Sequence, residues 1–149
     1  MTRRDWMREA LALAKQAQLA GEVPVGAVVV HEGNIVARAR NERETTGDPT
    51  AHAEVLALRR AAAALGRRRL KGCTLVVTLE PCPMCAGAIA MSGIDEVLFG
   101  AYDPRCGCAG SLYNLPEDAA FGRVIPCSGG LLEGECQGML DAFFDSRRG

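Results

Sequence analysis

Cys73-Thr74-Leu75-Val76-Val77-Thr78-Leu79-Glu80-Pro81-Cys82-Pro83-Met84-Cys85 decides the fold of this chain. Its opening residues, CTLVVTL, are almost continuously apolar and rich in β-branched side chains, the pattern of a strand buried on both faces. Pro83 suits the first turn of a helix, where its missing N–H leaves nothing unsatisfied, and a short apolar helix is predicted from Cys82 to Ser92. Glu96 to Ala101 (EVLFGA) reads as a further strand. A strand, a helix and another strand in succession imply parallel pairing within a sheet covered by helices on both faces.

Upstream, Trp6, Met7, Ala10, Leu11, Ala14 and Ala17 follow the spacing of one helical face, so an amphipathic helix is predicted over Arg3 to Leu19 and ended by Gly21. Val25 to Val30 and Ile35 to Arg40, joined by Glu32-Gly33-Asn34, form a β-hairpin. Asn41 to Thr50 contains Gly47, Asp48 and Pro49 without an apolar period and reads as an irregular connection. A helix then covers Ala53 to Leu65, with His52 at or just before its first turn. Downstream, a Gly- and Cys-containing loop precedes a short strand at Arg123 to Cys127 and a final helix from Leu131 to Arg147. The expectation is one α/β domain over residues 1–149, a three-layer α/β/α arrangement with a mixed sheet of about five strands.

The chain has 149 residues, a length that buries roughly 68–70% of the unfolded surface without disulfide staples. At 48% hydrophobic and 23% charged it falls in the ordinary globular range rather than the disordered one. The net charge of −1 gives no support for a polyanion binder through the overall field, although basic residues cluster at Arg3-Arg4, Arg67-Arg68-Arg69 with Lys71, and Arg147-Arg148. Seven cysteines, with no membrane-length apolar run and no signal-peptide pattern, point to a reducing cytoplasm and against a membrane partner.

Two of those cysteines carry chemistry. Cys82 and Cys85 have metal-ligand spacing at a predicted helix start, and His52 stands at the start of another helix. Helix N-termini favour thiolates, because their free N–H groups and partial positive charge stabilise the anion. One histidine and two cysteines leave a fourth zinc position open for water, as in catalytic rather than structural sites. Two thiolates also neutralise the dication, so deprotonating the water needs a base. Glu54 is placed to accept that proton without binding the metal. The residues alone therefore predict a hydrolytic zinc enzyme. With no histidine nearby and no second cysteine pair, Cys106-Gly107-Cys108 is not expected to bind metal. Cys73, Cys127 and Cys136 sit in apolar contexts, and His31 reads as a surface residue.

At this point the chain resembles the cytidine deaminase superfamily, and within it the bacterial tRNA-specific adenosine deaminases. The likeness runs through Val23-Pro24-Val25-Gly26-Ala27, Asp48-Pro49-Thr50-Ala51-His52-Ala53-Glu54, Thr78-Leu79-Glu80-Pro81-Cys82, Met84-Cys85-Ala86-Gly87-Ala88 and Gly110-Ser111-Leu112. It implies a cytidine-deaminase-like fold, one zinc ion per subunit on His52, Cys82 and Cys85, and Glu54 as the proton shuttle. Substrate contacts are implied at Asn41, Ala53 and Asp103. The implied reaction attacks C6 of a wobble adenosine, flipped out of a tRNA anticodon loop, and yields inosine and ammonia. Homodimers are also implied, with the apolar face of the helix over Cys85 to Ser92 as a contact. One departure stands out: Phe121-Gly122-Arg123 replaces the family's usual Phe-Asn-His, and Arg123 is left as a phosphate-binding candidate.

Two alternatives remain open on the sequence. A small-molecule deaminase of guanine or cytosine type would carry the same zinc motifs, while a non-catalytic zinc-binding RNA-editing subunit could dispense with Glu54.

Overall fold

The run Cys73–Leu79 is the central strand of the sheet, and the computed structural model, which describes residues 1–148, builds every other element around it. Gly149, the end of the expected domain, lies outside the described residues. In chain order the elements are helix α1 (Arg3–Leu19), strands β1 (Gly26–His31) and β2 (Asn34–Arg40), helices α2 (Arg43–Thr46) and α3 (Ala53–Leu65), strand β3 (Cys73–Leu79), helix α4 (Pro83–Ser92), strands β4 (Glu96–Ala101) and β5 (Cys127–Ser128), and helix α5 (Glu133–Ser146). The five strands lie in the order β2-β1-β3-β4-β5. β1 runs antiparallel to β2 and β3, whereas β3, β4 and β5 are parallel, so the sheet is mixed as expected.

Strand alternation divides the core into two layers. Ala27, Val29, Leu75, Val77, Val97 and Phe99 face α3 and α4, while Val28, Val30, Val76 and Leu98 face Met7, Ala10 and Leu11 of α1 and Cys136 and Leu140 of α5. Both sides of β3 are thus dry, which is why its sequence lacks a polar alternation. The close seat of α1 depends on Gly26, where a Cβ would stand 2.0 Å from the Ala10 carbonyl oxygen. No helix among the described residues is long and apolar enough to cross a membrane.

Three local expectations are corrected. The connection after β2 contains α2, because the buried Glu22 carboxylate accepts hydrogen bonds from the N–H groups of Glu44 and Thr45 and caps this turn from outside it. The strand predicted at Arg123 to Cys127 contracts to Cys127–Ser128: Ile125 N–H turns to the Pro116 carbonyl, and Pro126 has no N–H to give a ladder. The last helix begins at Glu133 rather than Leu131, since Gly130 and Leu131 donate to the carbonyls of Gly100 and Phe99, and Leu132 turns through a left-handed conformation (φ 51°).

Candidate metal centre and substrate cavity

α3 and α4 aim their N-termini at one point beside the C-terminal end of β3. His52 is the extended residue preceding α3, and the approach to it is pinned by Asp48, whose Oδ1 accepts from Thr50 N and Thr50 Oγ1 at 2.8 Å each. Cys82 holds the corresponding position before α4, Pro83 occupies its first turn as the sequence requires, and Cys85 lies one turn on.

His52 Nδ1 stands 3.6 Å from Cys82 Sγ and 3.5 Å from Cys85 Sγ. A tetrahedral zinc ion with Zn–N of about 2.0–2.1 Å and Zn–S of about 2.3 Å separates nitrogen from sulfur by about 3.5–3.6 Å, so the donor set matches the ion in both identity and spacing. Among the described residues this is the one cluster of three metal-ligating groups, and Cys106 and Cys108 do not join it. The thiols are already polarised. Hydrogen bonds from Cys85 and His52 hold the Cys82 thiol down at about 4, while the same Cys82 partner and burial keep Cys85 well above the usual thiol value. The imidazole of His52 is shifted upward by its bond to Cys82.

Glu54 sits in the first turn of α3 and is 4% exposed. Burial pushes its carboxyl up to about 7, whereas a dication on the neighbouring ligands favours its ionised form. It lines a cavity of about 120 Å³ together with His52, Cys82, Asn41, Asp103 and Cys106. Of the other residues singled out in the sequence, Asn41 is a buried staple: its Oδ1 accepts from Ala53 N (2.8 Å) and its Nδ2 donates to the Val23 carbonyl (3.2 Å). Ala53 itself is fully buried, with its N–H committed to Asn41. Asp103 faces the cavity, and its carboxylate accepts from Arg105 N, Cys106 N and Cys106 Sγ. Arg123 is not free for phosphate: it donates to the Gly93 carbonyl (2.6 Å) and pairs with Asp95 (3.0 Å).

The cavity opens into two grooves of about 640 and 600 Å³ that share Val23 with it. Their walls carry Arg43, Arg105, Arg147 and Arg148 beside Glu44, Asp103, Asp141 and Asp145, and the partly exposed rings of Tyr102 and Phe144. Arg43, which opens α2, and Arg105, in the loop after β4, carry no sequence signal of their own, being single basic residues, and only the fold brings them to the same mouth as the charged end of α5.

Residues 1–101 match the family described as the cytidine and deoxycytidylate deaminase zinc-binding region. The chain belongs to this deaminase family. Within it, the chain is 52% identical over 143 residues to the tRNA-specific adenosine deaminase of Bacillus subtilis, covering 96% of this chain and 89% of that relative. A solved structure from a study of A-to-I editing by tRNA:A34 deaminases superposes with a TM-score of 0.88 at 40% identity, covering 91% and 99% of the two chains. The guanine deaminase of Nitrosomonas europaea is more distant, with a TM-score of 0.80 at 27% identity over 94% and 83% of the chains. This deaminase is therefore a zinc-dependent enzyme of the three-layer α/β/α class, in the branch of the tRNA-specific adenosine deaminases.

Proposed function

We propose that the protein hydrolytically deaminates the wobble adenosine of a tRNA anticodon loop to inosine and releases ammonia. The observation that carries this reading is the junction of the His52, Cys82, Cys85 and Glu54 cluster with grooves whose walls carry four arginines interspersed with acidic residues and two exposed aromatic rings. Phosphates seek the guanidinium groups, and unstacked loop bases find ring faces at Tyr102 and Phe144. The relatives named for tRNA deamination point the same way.

His52, Cys82 and Cys85 would hold a zinc ion, and that ion would acidify water and so supply the nucleophile for hydrolysis. Glu54 takes one proton from that water and delivers it to ring N1, then takes the second from the oxygen now bonded to C6 and passes it to the departing amine as the carbonyl forms. Asn41 and Asp103, which both line the cavity, contact the nucleotide, and the Asn41 amide keeps one N–H and one lone pair beyond those its staple uses. Water enters, ammonia leaves, and no redox cofactor is consumed.

We further place the protein as a cytoplasmic homodimer. Met84, Gly87, Ala88 and Met91 form a stripe along α4, and Met91 is 89% exposed, an apolar surface suited to a second copy. All seven cysteines are free thiols, a state that a reducing compartment preserves.

The deciding experiment incubates the zinc-loaded protein with an anticodon stem-loop bearing a wobble adenosine and, separately, with guanine, cytidine and adenosine. Inosine in the RNA alone is expected. Turnover of guanine alone overturns the reading in favour of a free-base deaminase.

A further inference from the structure

The Glu80 side chain lies two residues before Cys82, is 2% exposed, and gathers the loop that follows β4. Its Oε1 accepts from Asp103 N (2.9 Å) and from the Ser111 hydroxyl; its Oε2 accepts from Ala109 N (3.1 Å) and Ser111 N (2.8 Å). Every partner is a donor from residues 103–111, which suits a carboxylate that accepts on both oxygens. The backbone wraps it so closely that a Cβ at Gly107 would stand 2.3 Å from the carboxyl carbon. Cys108 N also donates to the Pro81 carbonyl (2.8 Å), tying the same loop to the segment that carries the cysteine ligands.

That loop supplies one wall of the substrate cavity through Asp103 and Cys106, and it sets Arg105 on the adjoining groove. Neither the zinc ligands nor Glu54 depends on it for a hydrogen bond. We propose that Glu80 is a positioning residue that fixes the 103–111 loop in its RNA-accepting shape, so that it governs affinity for the RNA rather than the chemical step. This rests on the RNA reading above.

Glu80→Gln tests the idea at one atom. Its single carbonyl oxygen serves Ala109 N and Ser111 N when its amide faces the Ser111 hydroxyl, which reverses and accepts; Asp103 N is then left without an acceptor. The expected result is a rise of about tenfold in KM for the stem-loop, kcat within about threefold of wild type, one zinc per chain, and faster hydrogen exchange at the Asp103 amide. Ser111→Ala removes only the hydroxyl donor and raises KM less, with Ser111→Thr restoring it. An unchanged KM, or a loss confined to kcat, overturns the proposal. If Glu80→Gln does not fold, folded and zinc-loaded Ser111→Ala decides alone, an unchanged KM again counting against the brace. Should the wild type deaminate guanine and not RNA, the substrate reading has failed; exchange at Asp103, Ala109 and Ser111 then decides the brace, and rates unchanged by Glu80→Gln overturn it.

Discussion

Glu22 and Thr45 are 23 residues apart in sequence and joined by two hydrogen bonds: Glu22 Oε2 accepts from Thr45 N at 2.7 Å and from Thr45 Oγ1 at 2.8 Å. The other carboxylate oxygen accepts from Glu44 N at 3.1 Å. Together these bonds hold α2, and with it Arg43, beside the mouth of the cavity.

The same pair gives the fold an acid-sensitive element. Burial opposes the ionisation of Glu22, but hydrogen bonds from Glu44 and Thr45 and the nearby Arg40 charge outweigh it and hold the carboxyl below its ordinary 4.5. A group depressed in the folded state binds fewer protons there than in the unfolded chain, so its stabilisation is complete above the unfolded value and lost as pH falls through the folded one. Urea unfolding should show the wild type losing stability below about pH 4.5 more steeply than Glu22→Gln, which is already weaker at pH 7 by about 1–3 kcal/mol. Parallel pH profiles for the two proteins would remove Glu22 from the account.

Much of the architecture was legible because its signals are local. CTLVVTL, Pro83 and the apolar period of α1 report nearest-neighbour physics, and His52, Glu54, Cys82 and Cys85 sit in short motifs whose spacing already defines the metal chemistry. What escaped depends on partners far along the chain. The cap that makes α2 comes from a carboxylate 22 and 23 positions upstream, and Glu80 finds its donors 23 to 31 positions downstream. Arg123 illustrates the same limit: its guanidinium is already engaged by Asp95 and the Gly93 carbonyl, 28 and 30 positions away. Pairings of that kind leave no periodicity to read.

Asn41 joins three segments, and its removal should show in both stability and binding. Asn41→Ala leaves the buried Ala53 N–H without its acceptor and frees the Val23 carbonyl, at a cost of about 1–3 kcal/mol in chemical denaturation. Steady-state kinetics should show a higher KM for the stem-loop as well. A loss of stability with KM unaltered would reduce Asn41 to a staple and remove it from substrate contact.

Glu54 has a different signature. As the proton carrier it contributes about 10²–10⁴-fold to rate, so Glu54→Ala should lose inosine formation by that factor while retaining zinc at the wild-type ratio. Metal analysis beside the activity assay checks both halves. Zinc lost in this variant would make the carboxylate a ligand, and undiminished activity would make it a bystander in the cavity.

The zinc stoichiometry tests whether the fourth coordination position is open. Cys106 lines the cavity, yet its Sγ donates to Asp103 Oδ2 at 3.1 Å and lies outside the three-residue cluster. Chelation should therefore abolish activity and lower the melting temperature. Restoring free zinc to a thousandfold excess over its Kd stabilises a binding-competent fold by about 4.1 kcal/mol. Cys82→Ser should lose both effects, because it removes a ligand at the start of α4. Cys106→Ser should keep one zinc per chain and the full thermal response. If Cys106→Ser instead released the metal, four protein ligands would surround the ion, the site would be closed to water, and the hydrolytic reading of the His52, Cys82 and Cys85 cluster would give way to a structural one.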